Sequence, residues 1–549
     1  MRLSKLSLAM MAVFGGGICA EAMALDLYVD AKTKQIFAEP GPGRTKLGSF
    51  EKVEDTAAQK AEMQAQKAEA QAQKAEIAQI REDLALKNNE LKALDEHIKD
   101  PKFSELELSE KGIKFESKDG NFEMAINGRM QVDAQMNVKD ANTTTGSTPN
   151  STQQLADGAN IRRARLGVEG SFFKDYEYKF EYDFSRGNGS VAAGITDAYL
   201  NWKGYSNLGV KIGSFKEPFS LEEATSNRWL TFIERNMAVN SFSDNPNAYK
   251  TGIGLSWTEP RWTVTGAVMT EPVGGGWAYS TSKNGNSVCT NAGCTTTVVV
   301  NSNGDNNRNG GSGDMGWEVT GRVTGLPWYE DKTKFLHIGA SGSERFMPNN
   351  LGGGANNMAY TAAVNSNVDR TSILNTGTLP LGSTLTRMGG ETALLYGPFS
   401  AQAEYIQTDI SNSSNATNAR FADGATLSGY YGYVSYFLTG ESRAYKAKTG
   451  AWDRIKPNRN FDGKGGLGAW EIAAGYDHLN LNSAGINGGE ASTAKFGVNW
   501  YPHSHFKFMA NYIHVLDVQQ ANTTLGGARG ASWDGGNLDM FEMRGQVDF

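Results

Sequence analysis

Tyr176, Tyr178, Phe180, Tyr182 and Phe184 alternate with Glu177, Lys179, Glu181, Asp183 and Ser185. A period of two is the side-chain period of a β-strand, whose successive residues point to opposite faces. One face of this stretch is wholly aromatic and the other is charged or polar. A soluble sandwich also alternates, but it does not set five aromatic rings against charge at nearly every opposite position. Aromatics outside and charges inside describe a transmembrane barrel with a wet lumen. From Phe122 to Val132 the even positions are apolar or Gly and the odd ones mostly polar. At the end of the chain Phe541, Met543, Gly545, Val547 and Phe549 oppose Glu542, Arg544, Gln546 and Asp548. An aromatic final residue on an alternating strand also matches the outer-membrane assembly signal.

Across the chain, alternating segments begin near 122, 160, 175, 195, 208, 250, 262, 316, 334, 389, 399, 429, 468, 493, 505 and 538. The fold class is therefore an all-β transmembrane barrel of 16 antiparallel strands over 122–549, an even number as single-chain barrels require. With both barrel ends in the periplasm, tight inner turns should alternate with long outer loops. Segments near 171–175, 203–207, 258–261, 396–399 and 501–505 are tight, whereas 137–158, 271–313, 344–387 and 516–534 are long and polar. One inner turn, 439–466, is long. It carries Arg443, Lys446, Lys448, Arg454, Lys456, Arg459 and Lys464 against three acidic residues.

Composition agrees. Only 39% of the 549 residues are hydrophobic, yet there are 64 Gly, 20 Tyr, 25 Phe and 11 Trp beside 14 Pro. No apolar run of about 20 residues exists beyond the leader, which excludes a helical membrane protein. A net charge of −7 offers no nucleic-acid footprint.

The first 24 residues read as a signal peptide: Arg2 and Lys5, an apolar stretch from Leu6 to Ala20, then Ala22-Met23-Ala24 as the cleavage site. Cys19 lacks a lipobox context. Export leaves Cys289 and Cys294, expected to form a small loop-closing disulfide in an oxidising compartment. Residues 25–50 form a short segment with a possible hairpin from Leu25 to Ala38 and carry no assignable chemistry.

Residues 51–100 behave differently. Ala58-Gln59-Lys60-Ala61-Glu62 recurs at 65–69 and at 72–76, a seven-residue repeat. Met63, Ala70, Ile77, Leu84, Leu91 and Ile98 share heptad position a, and Gln66, Gln73, Ile80, Lys87 and Leu94 share d. Glu62, Glu69 and Glu76 at g face Lys67, Lys74 and Arg81 at e, the charge pattern of a parallel coiled coil. A single solvated helix is the alternative. The segment would extend roughly 65 Å into the periplasm. Its polar d seam disfavours a tight dimer, so a homotrimer is expected, joined to the barrel by a linker at 101–121.

No nucleophile triad, general-base pair, phosphate loop or metal cluster is visible, so the chain is read as a non-enzyme with no cofactor and no metal. Sixteen strands leave an aqueous channel whose selectivity rests on charged side chains at its constriction. Lumen-facing candidates are Arg129, Arg163, Arg165, Lys179, Lys211, Arg322 and Arg544, sharing the walls with Glu169, Glu177, Glu181 and Asp183. Arg163 and Arg165 stand out, since two guanidiniums on one strand face make a fork suited to oxyanions. The alternative for each is pairing with a neighbouring carboxylate. In the loop 216–248, Ser220 to Glu223 reads as a capping box before a short helix containing Arg228, Trp229, Glu234 and Arg235. This loop either folds into the barrel and narrows it or packs on a neighbour in the oligomer.

The chain resembles the phosphate-selective porins O and P, trimeric sixteen-stranded anion channels. The matching stretches are Arg162-Arg163-Ala164, Ala224 to Trp229 with Glu234-Arg235-Asn236, Phe399 to Tyr405, Ser428 to Tyr431, Leu438 to Glu441 with Tyr445-Lys446, and Gly497 to Tyr501. The resemblance implies passive diffusion of phosphate-like anions in the outer membrane of a Gram-negative bacterium, with Arg129, Arg162 and Arg163 among the pore arginines. It further implies a basic periplasmic exit, here Lys446, Lys448 and Lys456. Where the family folds an arginine-bearing loop into the pore, 344–387 has Arg345 and Arg370, with Arg387 at its end. A family lysine aligns with Glu223 and a family aspartate with Thr196. The expected partners are outer-membrane lipid, small inorganic anions, two further copies of the chain, and the cell wall at the distal end of the coil. A general or cation-preferring porin is the nearest rival, and an envelope tether acting through the coil is the other.

Overall fold

The computed structural model describes residues 25–50, 57–98, 107–109, 112–145, 148–185, 194–244, 249–270, 317–346, 357–358, 360–376, 379–380, 384–411, 424–483, 486–519 and 533–549. The leader expected at 1–24 and the cysteines expected to pair, Cys289 and Cys294, lie outside them.

Sixteen antiparallel strands close into a barrel. They are β1 (Phe122–Lys139), β2 (Gly158–Phe172), β3 (Tyr176–Asp183), β4 (Ile195–Trp202), β5 (Leu208–Lys216), β6 (Tyr249–Thr258), β7 (Trp262–Met269) and β8 (Trp317–Asp331). The second half comprises β9 (Lys334–Phe346), β10 (Thr384–Tyr396), β11 (Phe399–Ile410), β12 (Ala425–Phe437), β13 (Ala469–Ser483), β14 (Ile486–His503), β15 (Phe506–Gln519) and β16 (Leu538–Asp548). Closure is by β16 on β1, where Met543 faces Ala134 and Asp548 faces Arg129. Phe549 completes it: the backbone N–H groups of Gly128 and Phe549 each donate to the other's carbonyl at 3.0 Å. A closed ladder leaves no strand edge to lipid, the condition for a sheet to cross a membrane.

The two faces separate as the alternation requires. On β3 the even residues Tyr176 and Phe180 are each 47% exposed, while Glu181 and Asp183 are 1%. The aromatics therefore meet lipid and the carboxylates point inward.

Residues 107–109 and 112–116, within the stretch 101–121 expected as a linker, are instead part of the sheet. Glu107–Ser109 pairs with Gly112–Glu116, and Ile113 to Glu116 pairs with Ile126 to Glu123 of β1. Leu108, Ile113 and Phe115 give this stretch enough strand character to extend the ladder beyond the barrel proper.

The segment before the barrel is a separate unit. Leu25–Asp30 pairs with Ile36–Phe37 as a hairpin, and Arg44–Phe50 adds a third strand on the other side. Ala57–Ile98 is one α-helix of 42 residues. Ile77, Ile80, Leu84 and Leu91 on its a/d stripe are all exposed within the single chain.

Among the described residues, three connections fold into the barrel and supply much of its core. The first, between β5 and β6, holds the short helices Leu221–Ala224 and Met237–Val239. Its Phe219, Phe232, Met237, Val239 and Phe242 pack with the wall residues Leu385, Ile406, Leu427, Tyr431 and Tyr433. Phe232 lies flat against β13 and β14, where the wall supplies glycine: a Cβ at Gly475 or Gly497 would lie 3.0 or 3.2 Å from its ring. The second is the hairpin Thr361–Ala363 with Ser372–Asn375, whose tip residues Asn365, Ser366 and Asn367 are buried. The third is the long inner turn 438–468, whose Ala451 and Trp452 pack with Leu221, Phe335 and Leu395.

Candidate functional site: an arginine cluster around an infolded loop

A loop buried inside a barrel must find partners for its backbone polar groups. The far wall supplies them. The N–H groups of Leu221 and Glu222 donate to the two oxygens of Glu404 at 3.0 and 2.8 Å, and that of Met237 donates to Asp477 at 3.2 Å. Lys507 Nζ donates to the Leu230 carbonyl at 2.5 Å, Asn499 to that of Thr231 at 2.8 Å, and Arg544 to that of Ile233. These bonds fix the first loop across the lumen.

Ser220 Oγ accepts from the Glu223 N–H at 3.2 Å, the cap expected from the sequence. The Glu223 side chain turns elsewhere, to Lys216 at 2.5 Å and Arg235 at 3.0 Å. Arg235, expected at the throat, is therefore an internal brace: it also donates to the carbonyls of Glu222 and Thr225, each at 3.2 Å. Glu222 holds Asn236 by two bonds, at 3.0 and 2.8 Å. Burial pushes the Glu222 carboxyl above its ordinary range, against the pull of Lys495 and the Asn236 hydrogen bonds.

The fixed loop meets β1, β2, β3 and β16 at a cluster of guanidiniums. Arg129 bonds Asn227 Oδ1 at 2.5 Å and pairs with Glu181. Arg165 pairs with Glu181 and Asp183, each at 2.8 Å, and Thr196 Oγ1 donates to Glu181 Oε1 at 2.8 Å. Arg162 holds Glu234 bidentately at 2.7 and 2.9 Å. Arg544 holds Asp133 at 2.6 and 2.7 Å and adds Glu234 at 2.7 Å. Asp548 takes Arg454 from the inner turn, and Arg228 at 3.6 Å. Trp229 lies beneath both, 4.6 Å from the Arg454 guanidinium and 5.4 Å from that of Arg228.

Strict alternation would turn Arg162 to lipid. A β-bulge prevents this: Gln131 faces Arg163 but Val132 faces Ile161, so one residue of β2 is extra. Arg162 and Arg163 consequently both reach the interior, and Ile161 takes the lipid-facing position at 55% exposure. Nothing in the periodicity announces the bulge; only the family resemblance pointed to Arg162.

Arg163 differs from its neighbours. It is 3% exposed, donates Nη1 to the neutral Gln131 amide at 2.9 Å, and its Nε–H has no partner among the described residues. Its nearest carboxylate, Glu234, is 4.0 Å away and already held by Arg162 and Arg544. Although burial opposes it, the arginines hold Glu234 well below the usual carboxylate range, Arg162 first, then Arg544 and Arg163. The cluster thus sets seven arginines (129, 162, 163, 165, 228, 454 and 544) against five carboxylates (Asp133, Glu181, Asp183, Glu234 and Asp548). Two positive charges remain over.

The remaining expected residues are elsewhere. Arg345 pairs with Glu318 at 2.5 Å. It belongs to a wall network in which Lys250 meets Glu217 at 2.5 Å and Glu318 at 2.8 Å, and Arg387 meets Glu217 at 2.8 Å. Lys179 pairs with Asp197 at 2.9 Å, and Arg322 with Glu391 at 2.6 Å. Lys446, Lys448 and Lys456 are exposed on the inner turn. The infolded hairpin carries amides at its tip: Asn365 reaches Asp477 at 2.9 Å, and Arg370 is engaged by Asn367 at 2.8 Å. Among the described residues no group of His, Cys, Asp and Glu is placed to hold a metal.

A family model described as "Phosphate-selective porin O and P" matches residues 124–549. Porin O of Pseudomonas aeruginosa is 27% identical over 425 residues, 73% of this chain and 85% of that one. An uncharacterized protein of Caulobacter vibrioides is 26% identical over 378 residues, 68% of this chain and 66% of its own. In-vitro folded OmpT, an outer membrane protein of Vibrio cholerae, superposes with a TM-score of 0.43 at 10% identity, over 78% of this chain and 98% of that one. An anion-selective porin from Comamonas acidovorans gives 0.40 at 11% identity, over 78% and 100%. With the family model matching all but the first two residues of the sixteen-stranded barrel, the chain belongs to the phosphate-selective porin O and P family, an outer-membrane β-barrel channel rather than an enzyme.

Proposed function

We propose that this porin is an anion-preferring diffusion channel for phosphate or a related small oxyanion, with Arg163 as the centre of its constriction. The carrying observation is the charge balance around the infolded loop, in which Arg163 alone of the arginines on β1 and β2 has no carboxylate within hydrogen-bond distance. A cation fixed in a narrow low-dielectric passage attracts anions and repels cations without needing to trap either. Arg129, Arg162 and Arg165 shape the wall through their carboxylates, Arg228 contributes beside Trp229, and Lys446, Lys448 and Lys456 serve the periplasmic exit. Planar-bilayer recording of the full chain in a KCl gradient tests the reading. The expected result is a reversal potential of anion-preferring sign and a chloride current that inorganic phosphate blocks at millimolar concentration or below. A cation-preferring or unselective pore indifferent to phosphate would leave the general-porin alternative, which the five carboxylates favour.

The same chain is proposed to work as a homotrimer, with the helix Ala57–Ile98 as a parallel periplasmic coil and its distal end toward the cell wall. Supporting this, Ile77, Ile80, Leu84 and Leu91 are exposed along one stripe of a helix that a lone copy leaves bare. Replacing these four by Asn should shift the detergent-solubilised protein from trimer toward smaller species in light scattering. An unchanged mass would place trimerisation in the barrel alone.

A further inference from the structure

On the periplasmic side of the infolded loop a second pair of cations is enclosed that the arginine cluster does not include. The inner turn 438–468 rises into the barrel: the Trp452 N–H approaches Thr225 Oγ1 at 3.4 Å, and its indole N–H donates to Gln402 at 2.5 Å. Within this turn Arg443 is 3% exposed. Its Nη1 donates to the Tyr433 phenol at 3.0 Å and its guanidinium lies 4.1 Å over the Trp452 ring. Lys507, at the inner end of β15, is 2% exposed and sits 5.0 Å over the Tyr501 ring. Its ammonium donates to the Leu230 carbonyl at 2.5 Å. Neither cation forms an ion pair among the described residues.

The carboxylate tied to Lys507 is Glu471, through Tyr501, whose ring lies under the ammonium and whose hydroxyl donates to Glu471. Its Oε2 accepts from Asn499 at 2.9 Å and Tyr501 at 2.8 Å, while Oε1 has no hydrogen-bond partner among the described residues. Two buried cations against one carboxylate leave a positive charge that burial makes expensive unless an anion shares the space. Aromatic rings under both cations suit this arrangement, because they hold a charge in place without neutralising it.

We propose that Arg443 and Lys507 form a second oxyanion station, in series with the Arg163 cluster and immediately on the periplasmic side of the loop. It would take a small oxyanion through charge-assisted hydrogen bonds from the guanidinium and the ammonium. Glu471 keeps the net attraction to one charge, so that a bound anion can leave. Leu230, Thr231 and Ile233 accept from Lys507, Asn499 and Arg544, so this one stretch of loop touches the second station on one side and the arginine cluster on the other. Two adjacent weak stations are the arrangement that lets one ion displace the next.

The station rests on the anion-channel reading, and side-specific block separates the two. Inorganic phosphate is added to one side at a time while chloride current is recorded through full-length wild type, Arg443→Gln, Lys507→Gln and the double variant. From the periplasmic side, each single change should raise the half-blocking concentration about fivefold and the double change at least about tenfold, as loss of charge-assisted hydrogen bonds implies. From the outer side the rise should be smaller, because the Arg163 cluster is met first. Arg443→Lys, which keeps the charge, should restore most of the block and shows that the variants fold. Periplasmic block in the double variant within about twofold of wild type, in a channel that still prefers anions, overturns the station and leaves the channel reading standing. A wild-type pore without anion preference overturns the reading on which it rests, and the station with it.

Discussion

Arg163→Glu is expected to lower the anion-to-cation permeability ratio about tenfold, the largest change in selectivity that any single wall residue should produce. A unit charge about 7 Å from a passing ion in water contributes about 0.6 kcal/mol, so reversing it moves anions and cations apart by about 2 kcal/mol before salt screening reduces the effect. The effect belongs to Arg163 because no carboxylate lies within hydrogen-bond distance of its guanidinium. Gln131 gives it a neutral acceptor at 2.9 Å, and Glu234 at 4.0 Å is shared with two other arginines. Arg129 and Arg165 converge on Glu181, so removing either unbalances a buried carboxylate and disturbs the wall. Arg163→Gln should fall midway, since it removes the charge without adding an opposite one. Reversal potentials of the three channels in one KCl gradient decide the matter: a ratio in Arg163→Glu unchanged within about twofold would remove Arg163 from the filter.

Much of the barrel is legible from residue types because lipid and water impose opposite demands on alternate residues. The sixteen strand positions read from the sequence coincide with the sixteen observed, differing at the starts of β10, β12 and β14 by several residues. Those three starts lie toward the loop ends, where Thr384, Ala425 and Ile486 extend the ladder without the aromatic-against-charge contrast that marks the wall. The interior is harder to read. Alternation assigns Arg162 outward, and only the bulge opposite Gln131 and Val132 brings it in. Arg235 and Arg345 are basic residues in suggestive segments, yet each is consumed by a carboxylate, Glu223 and Glu318, that is remote in sequence or faces it only after folding.

The infolding of the connections had a signal of a different kind. Phe219, Leu221, Phe232, Ile233, Val239 and Phe242 are too apolar for an outer loop in water, and Trp452 and Ile455 are too apolar for a free periplasmic turn. The lysines of 439–466 match the periplasmic exit that the family resemblance implies. The structure divides that segment: Lys446, Lys448 and Lys456 stay exposed, while Arg443, Trp452 and Ile455 go inward. Charge count alone does not make that division; apolar spacing within the basic run does.

Glu404→Ala is expected to unsettle the infolded loop, giving a noisy open channel with sublevels and a mean conductance raised about twofold, since a pore's conductance follows its narrowest section. Glu404 holds the first helix of the loop, between the Glu217 anchor on Lys250 and Arg387 and the later attachments. Its two oxygens accept the N–H groups of Leu221 and Glu222 at 3.0 and 2.8 Å, and the Tyr431 phenol donates to it as well. Truncation leaves three buried donors without an acceptor, each costing about 1–3 kcal/mol. The later part of the loop keeps its own attachments, to Asp477 through Met237 and to Asn499 through Thr231. The loop should therefore loosen at one end rather than leave the barrel. Glu404→Gln separates the contributions, because an amide offers one oxygen where the carboxylate offers two. One of the two loop N–H groups would then face an NH₂, and the channel should be intermediate in noise. If the Ala variant instead conducts at one steady level indistinguishable from wild type, the remaining wall contacts suffice to hold the loop and Glu404 is no more than a bystander to it.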